Sequence, residues 1–193
     1  MIKPIDDAHL WWSFQKGDRK AFEILLEQHY QTMFNYGIRL VKSKDLAYDC
    51  LQDLFVELWN RRSFLETPRS IKAYLLTSYK RRLLKEIVLN RKNINPLNGD
   101  SELEVQFNIE TYLINNEIEH ETLIRLKIEL GNLSKRQREA LYLRFYEELE
   151  YQEISKIMEI SHHSTVNLVY EALKMMRRNW VMSLLFPVVM AFN

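Results

Sequence analysis

Three groups of side chains in this sequence have the types and spacing to bind, and none has the arrangement needed to make or break bonds. His162, His163, Ser164, Thr165 and Asn167 crowd one short stretch. Imidazoles, hydroxyls and an amide gathered at a helix start can hydrogen-bond base edges and phosphates. Lys72, Lys80, Arg81, Arg82, Lys85, Arg91 and Lys92 form a basic block with Tyr74 and Tyr79 interleaved. Cations hold a nucleic-acid backbone by releasing its condensed counterions, and aromatic faces take unstacked bases. Asp49, Gln52, Asp53 and Glu57 stand at i, i+3, i+4 and i+8, which on a helix makes one polar stripe. Carboxylates so aligned can steer and orient a basic partner, although the stripe on its own reads first as a solvated face.

Other chemistry is poorly served. Nothing resembles a nucleophile–base pair or a catalytic carboxylate site, so no enzyme activity, cofactor or small-molecule substrate is expected. Neither G-x-G-x-x-G nor G-x-x-x-x-G-K-[ST] occurs, which removes the glycine-rich phosphate cradles. The single cysteine, Cys50, rules out an intrachain disulfide and a cysteine-based zinc site, and its neighbours Ala47, Leu51 and Leu54 mark it as core. His162 and His163 are adjacent and point in different directions on a helix, so no metal site is expected there. The acidic, mixed start of the chain does not read as a signal peptide, and a reducing, cytoplasmic setting is expected.

The elements that must position these groups read almost wholly as helix. With 193 residues, 47% of them apolar, and only four Gly and four Pro, the chain fits one large or two small all-α domains. Asp6 or Asp7 can cap Ala8–Lys16, with Gly17 beyond its end, and Asp18 can cap a second helix. Its stripe is Phe22, Leu25, Leu26, His29, Tyr30, Met33, Phe34 and Gly37. Ser43 caps a third, striped with Ala47, Leu51, Leu54, Phe55 and Leu58. Arg61–Thr67 reads as a loop ending at Pro68, and Ser70 caps Ile71–Val88. The breaker-rich run from Asn93 to Ser101 is the domain boundary, and helix resumes around Asn115–Leu130. Ser134 and Gln137 form a capping box ahead of Ala140, Leu141, Leu143 and Phe145. Tyr151–Met158, the turn Glu159–Ser161 and a helix His162–Arg178 then form a helix–turn–helix packed by Ile154, Ile157, Ile160, Val166 or Val169, and Leu173. The apolar tail after Trp180 is too short to span a membrane and is interrupted by Pro187.

The net charge of +1 hides a segregation: residues 1–92 carry about +6, residues 93–133 about −6, and residues 134–193 about +1. Four segments follow: 1–92, an acidic linker at 93–118, 119–180, and a tail at 181–193.

Two stretches resemble a known family. Leu133-Ser-Lys-Arg-Gln-Arg-Glu-Ala-Leu-Tyr-Leu-Arg-Phe-Tyr-Glu147, Leu149-Glu-Tyr-Gln-Glu-Ile154, Ile160-Ser161 and Ala172-Leu173-Lys174 are similar to region 4 of sigma factors. Gly17-Asp18-x-x-Ala21-Phe22, the run Tyr48–Trp59 and Ser70-Ile-Lys-Ala-Tyr-Leu75 are similar to region 2. The matches stand in the family's order and cover nearly the whole chain. The sequence thus resembles an extracytoplasmic-function (ECF) sigma factor, the compact two-domain class of the sigma-70 family.

The resemblance implies a protein that binds RNA polymerase core, through the β′ clamp helices and the β flap, and directs it to promoter DNA. It assigns core docking to Asp49, Gln52, Asp53 and Glu57. It assigns the −10 element and melting to Phe64, Arg69, Lys72, Tyr74, Tyr79, Lys80, Arg81, Arg82 and Lys85. The −35 element falls to His162, His163, Ser164, Thr165, Asn167, Lys174 and Arg177. An acidic linker would run near the RNA exit path, and an anti-sigma factor, often membrane-anchored in the family, would be a partner. The chain departs from the family pattern at Arg81 and Lys85, where Asn and Asp are usual, and at Val166 and Glu171, where cations are frequent. Two other readings stay open: a helix–turn–helix regulator acting on DNA without polymerase, and a sigma mimic that only binds protein.

Overall fold

A computed structural model describes residues 7–41, 43–94 and 120–190, and the chain divides into two compact units, Met1–Gln106 and Phe107–Asn193. Among the described residues every regular element is helical and no strand occurs.

The first unit is a four-helix bundle: α1 (Asp7–Gln15), α2 (Arg19–Val41), α3 (Lys44–Arg61) and α4 (Ile71–Ile94). The starts of α2, α3 and α4 are fixed locally. The Asp18 carboxylate accepts from the Lys20 and Ala21 amides, Ser43 Oγ from Leu46 and Ser70 Oγ from Ala73, satisfying donors that a helix start leaves unpaired. Gly17 takes a left-handed φ of 89° between α1 and α2, a conformation costly to any residue with a Cβ. The predicted stripe of α3 is buried in full, from Ala47 to Leu58, with Cys50 beside it. Burial pushes the Cys50 thiol up to about 11, which fits a packing residue and not a reactive one.

α2 packs against α1, α3 and α4. At one end an aromatic cluster joins all four helices. Trp11 meets Phe14 and Tyr74 edge-on at 5.2 and 5.5 Å, Phe14 stacks on Phe22 at 5.2 Å, and Phe22 meets Trp59 at 5.2 Å. Such pairs add about 0.5–1.5 kcal/mol each beyond the area they bury.

Two boundaries differ from expectation. The segment expected as a loop from Arg61 begins with a 3-10 turn, Arg62–Phe64, continuing α3. α4 runs to Ile94 instead of Val88, because no breaker stands before Pro96. The expected linker at 93–118 therefore begins as helix at Asn93 and Ile94, and its remainder lies outside the described residues.

The second unit contains α5 (His120–Asn132), α6 (Lys135–Leu141), α7 (Tyr151–Met158) and α8 (His162–Met190). The capping box at Ser134 and Gln137 is present in both directions. After α6 the chain passes into a π-helical turn, Tyr142–Tyr146. One wider turn shifts the faces of the residues that follow. Tyr142 and Leu143 are buried, while Phe145, expected inside, is exposed. Tyr142 hydroxyl donates to the buried Glu147 carboxylate at 2.6 Å. Glu159 closes α7 in the left-handed region at φ 52°, and the Ile160 amide donates to the Ser155 carbonyl at 3.1 Å.

α8 is longer than the expected His162–Arg178. It continues through Pro187 to Met190, so the proline does not end it. The surroundings of the tail's side chains lie outside the described residues. Among the described residues no helix is long and apolar enough to cross a membrane.

Candidate nucleic-acid and polymerase interface

α3 presents Asp49, Gln52 and Asp53 to solvent and leaves Glu57 half-buried, all on the side away from its packed stripe. The stripe is already engaged from within the chain. Arg82 of α4 reaches across to Asp53 Oδ2 at 3.2 Å and to Glu57 Oε2, while Arg61 donates to Glu57 Oε1 at 3.0 Å. Hydrogen bonds from Arg61 and Arg82 hold the Glu57 carboxyl below its usual range.

An open cleft of about 330 Å³ lies between α3 and α4, and it gathers Tyr74, Arg81, Arg82 and Lys85 around the end of α3. These four stand at helical spacing on one face of α4. Arg81 and Lys85 are exposed, and Tyr74 is half-buried against Trp11.

Phe64 sits in the 3-10 turn with 84% of its surface exposed, which excludes the core role its type would allow. Arg69 is exposed in the segment that follows. Sequence reasoning missed what holds this segment. Gln15 at the end of α1 donates to the Leu65 carbonyl and accepts from Thr67 Oγ1 at 3.4 Å. Arg62 lies over the Trp59 ring at 4.4 Å and donates to the Trp59 carbonyl at 2.7 Å. A glutamine two residues before a glycine carries no signal of such a reach, whereas Trp59 and Arg62 at i, i+3 could have been paired.

Two expected DNA contacts of α4, Tyr79 and Lys80, are buried. Tyr79 is wholly buried, and its hydroxyl donates to the Ala47 carbonyl at 2.6 Å. It closes the core between α2, α3 and α4, so it presents no face to a base. Burial pushes its phenol above the usual range. Lys80 is 9% exposed, its stem packed into the bundle. Lys72 is partly buried and its charge acts on His29 of α2.

In the second unit α7 and α8 form the helix–turn–helix. Ile154, Ile157 and Val169 are buried between them, Val166 is only partly covered, and Leu173 is exposed where Ala172 packs instead. Ser161 caps α8 through the Ser164 amide at 3.0 Å. Of the expected reading residues, His162, His163, Ser164 and Asn167 are exposed at its first turns. His162 meets Tyr151 edge-on at 6.2 Å, and Asn167 shares a 3.0 Å hydrogen bond with His163. Thr165 is the exception. It is wholly buried and its hydroxyl donates to the Ser161 carbonyl at 3.0 Å, because the α7-facing side of α8 passes through it and Val169. Lys174 and Arg177 are exposed two to three turns further on, Lys174 paired with Glu171 at 3.6 Å. No cluster of three metal-ligating side chains occurs among the described residues.

One helical unit thus carries a polar stripe on α3 and a cationic, aromatic cleft, and the other carries a helix–turn–helix, an arrangement suited to binding and, among the described residues, without a constellation for chemistry. Residues 25–92 match the Sigma-70 region 2 family and residues 129–176 match Sigma-70, region 4. The two regions stand in order, together cover more than half of the chain, and the chain belongs to the sigma-70 family as an ECF sigma factor. It is similar to ECF RNA polymerase sigma factor SigX of Bacillus subtilis (strain 168), 23% identical over 163 residues, covering 83% of this chain and 84% of SigX. It is also similar to RNA polymerase sigma factor YlaC of the same organism, 25% identical over 173 residues, covering 86% of this chain and 95% of YlaC. Among solved structures the fold is shared with the sigma factor RpoE of Bartonella quintana, solved with the anti-sigma factor NepR, at a TM-score of 0.59 and 21% identity over 82% of this chain and 96% of that one. It is shared as well with CnrH, solved with the cytosolic domain of CnrY, at 0.57 and 16% identity over 91% and 97%. Its function is that of its family, directing RNA polymerase to start transcription at particular promoters.

Proposed function

We propose that the two units divide this work. The α3 stripe of Asp49, Gln52, Asp53 and Glu57 docks on the β′ clamp helices. The cleft between α3 and α4, together with the exposed Phe64 and Arg69 of the segment before α4, takes the melted −10 strand. The first turns of α8 read the −35 element, and the second unit rests on the β flap. The observation that carries this reading is that the stripe meets the cationic face of α4 at one end: Glu57 lines the cleft, and Arg82 of α4 pairs with both Asp53 and Glu57. A clamp docked on α3 brings the opened strand to Tyr74, Arg81 and Lys85.

The α4 contacts are narrower than the sequence suggests. Arg81, Arg82 and Lys85 supply the phosphate charge and Phe64 and Tyr74 the aromatic faces, while Tyr79 builds the scaffold. At the −35 element His162, His163, Ser164 and Asn167 meet base edges, and Lys174 and Arg177 meet phosphate. Glu171 beside Lys174 weakens that phosphate contact. The protein has no catalytic step of its own and works in the cytoplasm, and an anti-sigma factor that covers both units restrains it. A regulator acting on DNA alone has no use for the α3 stripe, and a mimic that only binds protein has no use for an exposed Phe64 and a cationic cleft.

The test is reconstitution. The protein and core polymerase are mixed with a promoter fragment, and strand opening is read by permanganate reactivity of unpaired thymines. Phe64→Ala is expected to keep core binding and lose most of the reactivity near −10. Equal reactivity in both proteins removes Phe64 from the strand-opening machinery.

A further inference from the structure

The residue that closes the cleft from the α4 side is also a ligand of the docking stripe. Arg82 spans the two helices with one guanidinium nitrogen on Asp53 and the other on Glu57. Its side chain is 24% exposed, while Asp53 and Glu57 are 66% and 42% exposed. Arg61 holds the second oxygen of Glu57. Two of the three carboxylates offered to a basic partner thus already carry an internal cation. A fork-shaped guanidinium satisfies two carboxylates at once, which is the geometry a partner's arginine would need.

Resting on the docking role proposed above for α3, we infer that Arg82 is an autoinhibitory latch: it occupies Asp53 and Glu57 in the free protein, leaves them when core polymerase docks, and becomes available to the DNA backbone only then. The energetics suit a switch. Ion pairs this exposed are worth about 0.2–1 kcal/mol, so an incoming cation of equal geometry displaces Arg82 at little cost. The released guanidinium lies on the same face of α4 as Arg81 and Lys85, beside Tyr74. Docking and DNA holding are therefore linked, and the linkage is reciprocal. DNA that draws Arg82 away bares the carboxylates and tightens docking, to the same extent that docking favours DNA.

The test measures core affinity by anisotropy of the fluorescently labelled full-length protein at fixed salt, with permanganate opening as a second readout. Arg82→Gln is expected to tighten core binding by about two- to fivefold, the reach of an exposed pair, and to lower promoter opening at saturating core. Lys20→Gln makes the same change in net charge at an exposed position of α2, outside the stripe, and is expected to leave core affinity unchanged. Asp53→Asn separates the two layers. If it does not weaken core binding, the docking role of α3 is wrong. If it does weaken binding while Arg82→Gln fails to tighten it, the docking role stands and the latch is overturned. Weaker core binding in Arg82→Gln also overturns the latch, because it makes Arg82 a buttress that orients Glu57. Should Arg82→Gln not fold, Arg82→Lys keeps the charge but cannot bridge both carboxylates, and the same tightening is expected to be smaller. No tightening in that variant contradicts the latch.

Discussion

Gly37 of α2 and Tyr79 of α4 share one space: a Cβ on Gly37 would stand 2.7 Å from the Tyr79 Cε1 atom, inside the ring's contact surface. The tyrosine cannot move aside, because its hydroxyl is bonded to the Ala47 carbonyl of α3 and its surface is wholly covered. Three helices thus meet at a point where one lacks a side chain. Gly37→Ala is expected to cost about 1–3 kcal/mol of overpacking. Tyr79→Phe, which keeps the ring and loses the hydrogen bond, is expected to cost about 1 kcal/mol. Urea unfolding of each variant checks both. A Gly37→Ala protein as stable as the parent would mean that α4 can shift away from α2.

Docking through the α3 stripe predicts that Asp53→Lys abolishes core binding while the fold survives. A reversed charge facing basic residues costs several kcal/mol, hence about a hundredfold or more in affinity. Asp53 is exposed and its pair with Arg82 is worth about 0.2–1 kcal/mol, so thermal unfolding is expected to change little. Anisotropy and a thermal scan on the same sample separate the two effects.

The first turns of α8 separate readers from scaffold. Asn167→Ala with His163→Ala is expected to weaken discrimination among −35 sequences by about 1–3 kcal/mol per lost base contact. Thr165→Val is expected to lower stability by about 1 kcal/mol and leave sequence preference as it was, since its hydroxyl serves the Ser161 carbonyl. Transcription from promoters varied at −35, read beside urea unfolding, distinguishes them. A change in preference with Thr165→Val would return that residue to the reading surface.

His29 predicts a pH dependence of the first unit. Burial lowers its pKa, opposed by the charge of Asp7 and aided by that of Lys72. The unfolded chain, with an ordinary imidazole near about 6.5, therefore binds its proton first as pH falls. In the window between that value and the lower folded pKa the unfolded state holds more protons, so stability falls with falling pH. His29→Gln is expected to flatten this part of the urea midpoint against pH between about 7.5 and 5.5. A slope unchanged by the substitution would place the proton elsewhere.

The helix starts were legible because each is written in one residue: Asp18, Ser43, Ser70, Ser134 and Ser161 all cap as their types require. α7 has the expected bounds for the same reason, a short amphipathic run between acidic turns. The misreadings share a cause as well. Tyr79 and Thr165 carry hydroxyls and sit among polar neighbours in sequence, yet each finds a backbone carbonyl and is buried whole. Polarity shows that a group needs a partner, and the chain's own backbone is often that partner. Phe145 was misplaced because a 3.6-residue period does not survive a π turn. Pairing across helices was the least legible layer. Arg82 reads as one cation among several until α3 and α4 pack, and nothing local announces that it meets Asp53 and Glu57. α8 passes through Pro187 in spite of the stop signal that residue carries, whereas α4 ends at Ile94, two residues before Pro96.

The most direct measurement is run-off transcription with core polymerase, this protein and fragments of genomic promoter DNA. Defined transcripts that start at one position, need both the −35 and −10 elements and vanish with Asp53→Lys are the predicted result. Transcripts no different from those of core polymerase alone, with a correctly folded protein in the reaction, would contradict the account.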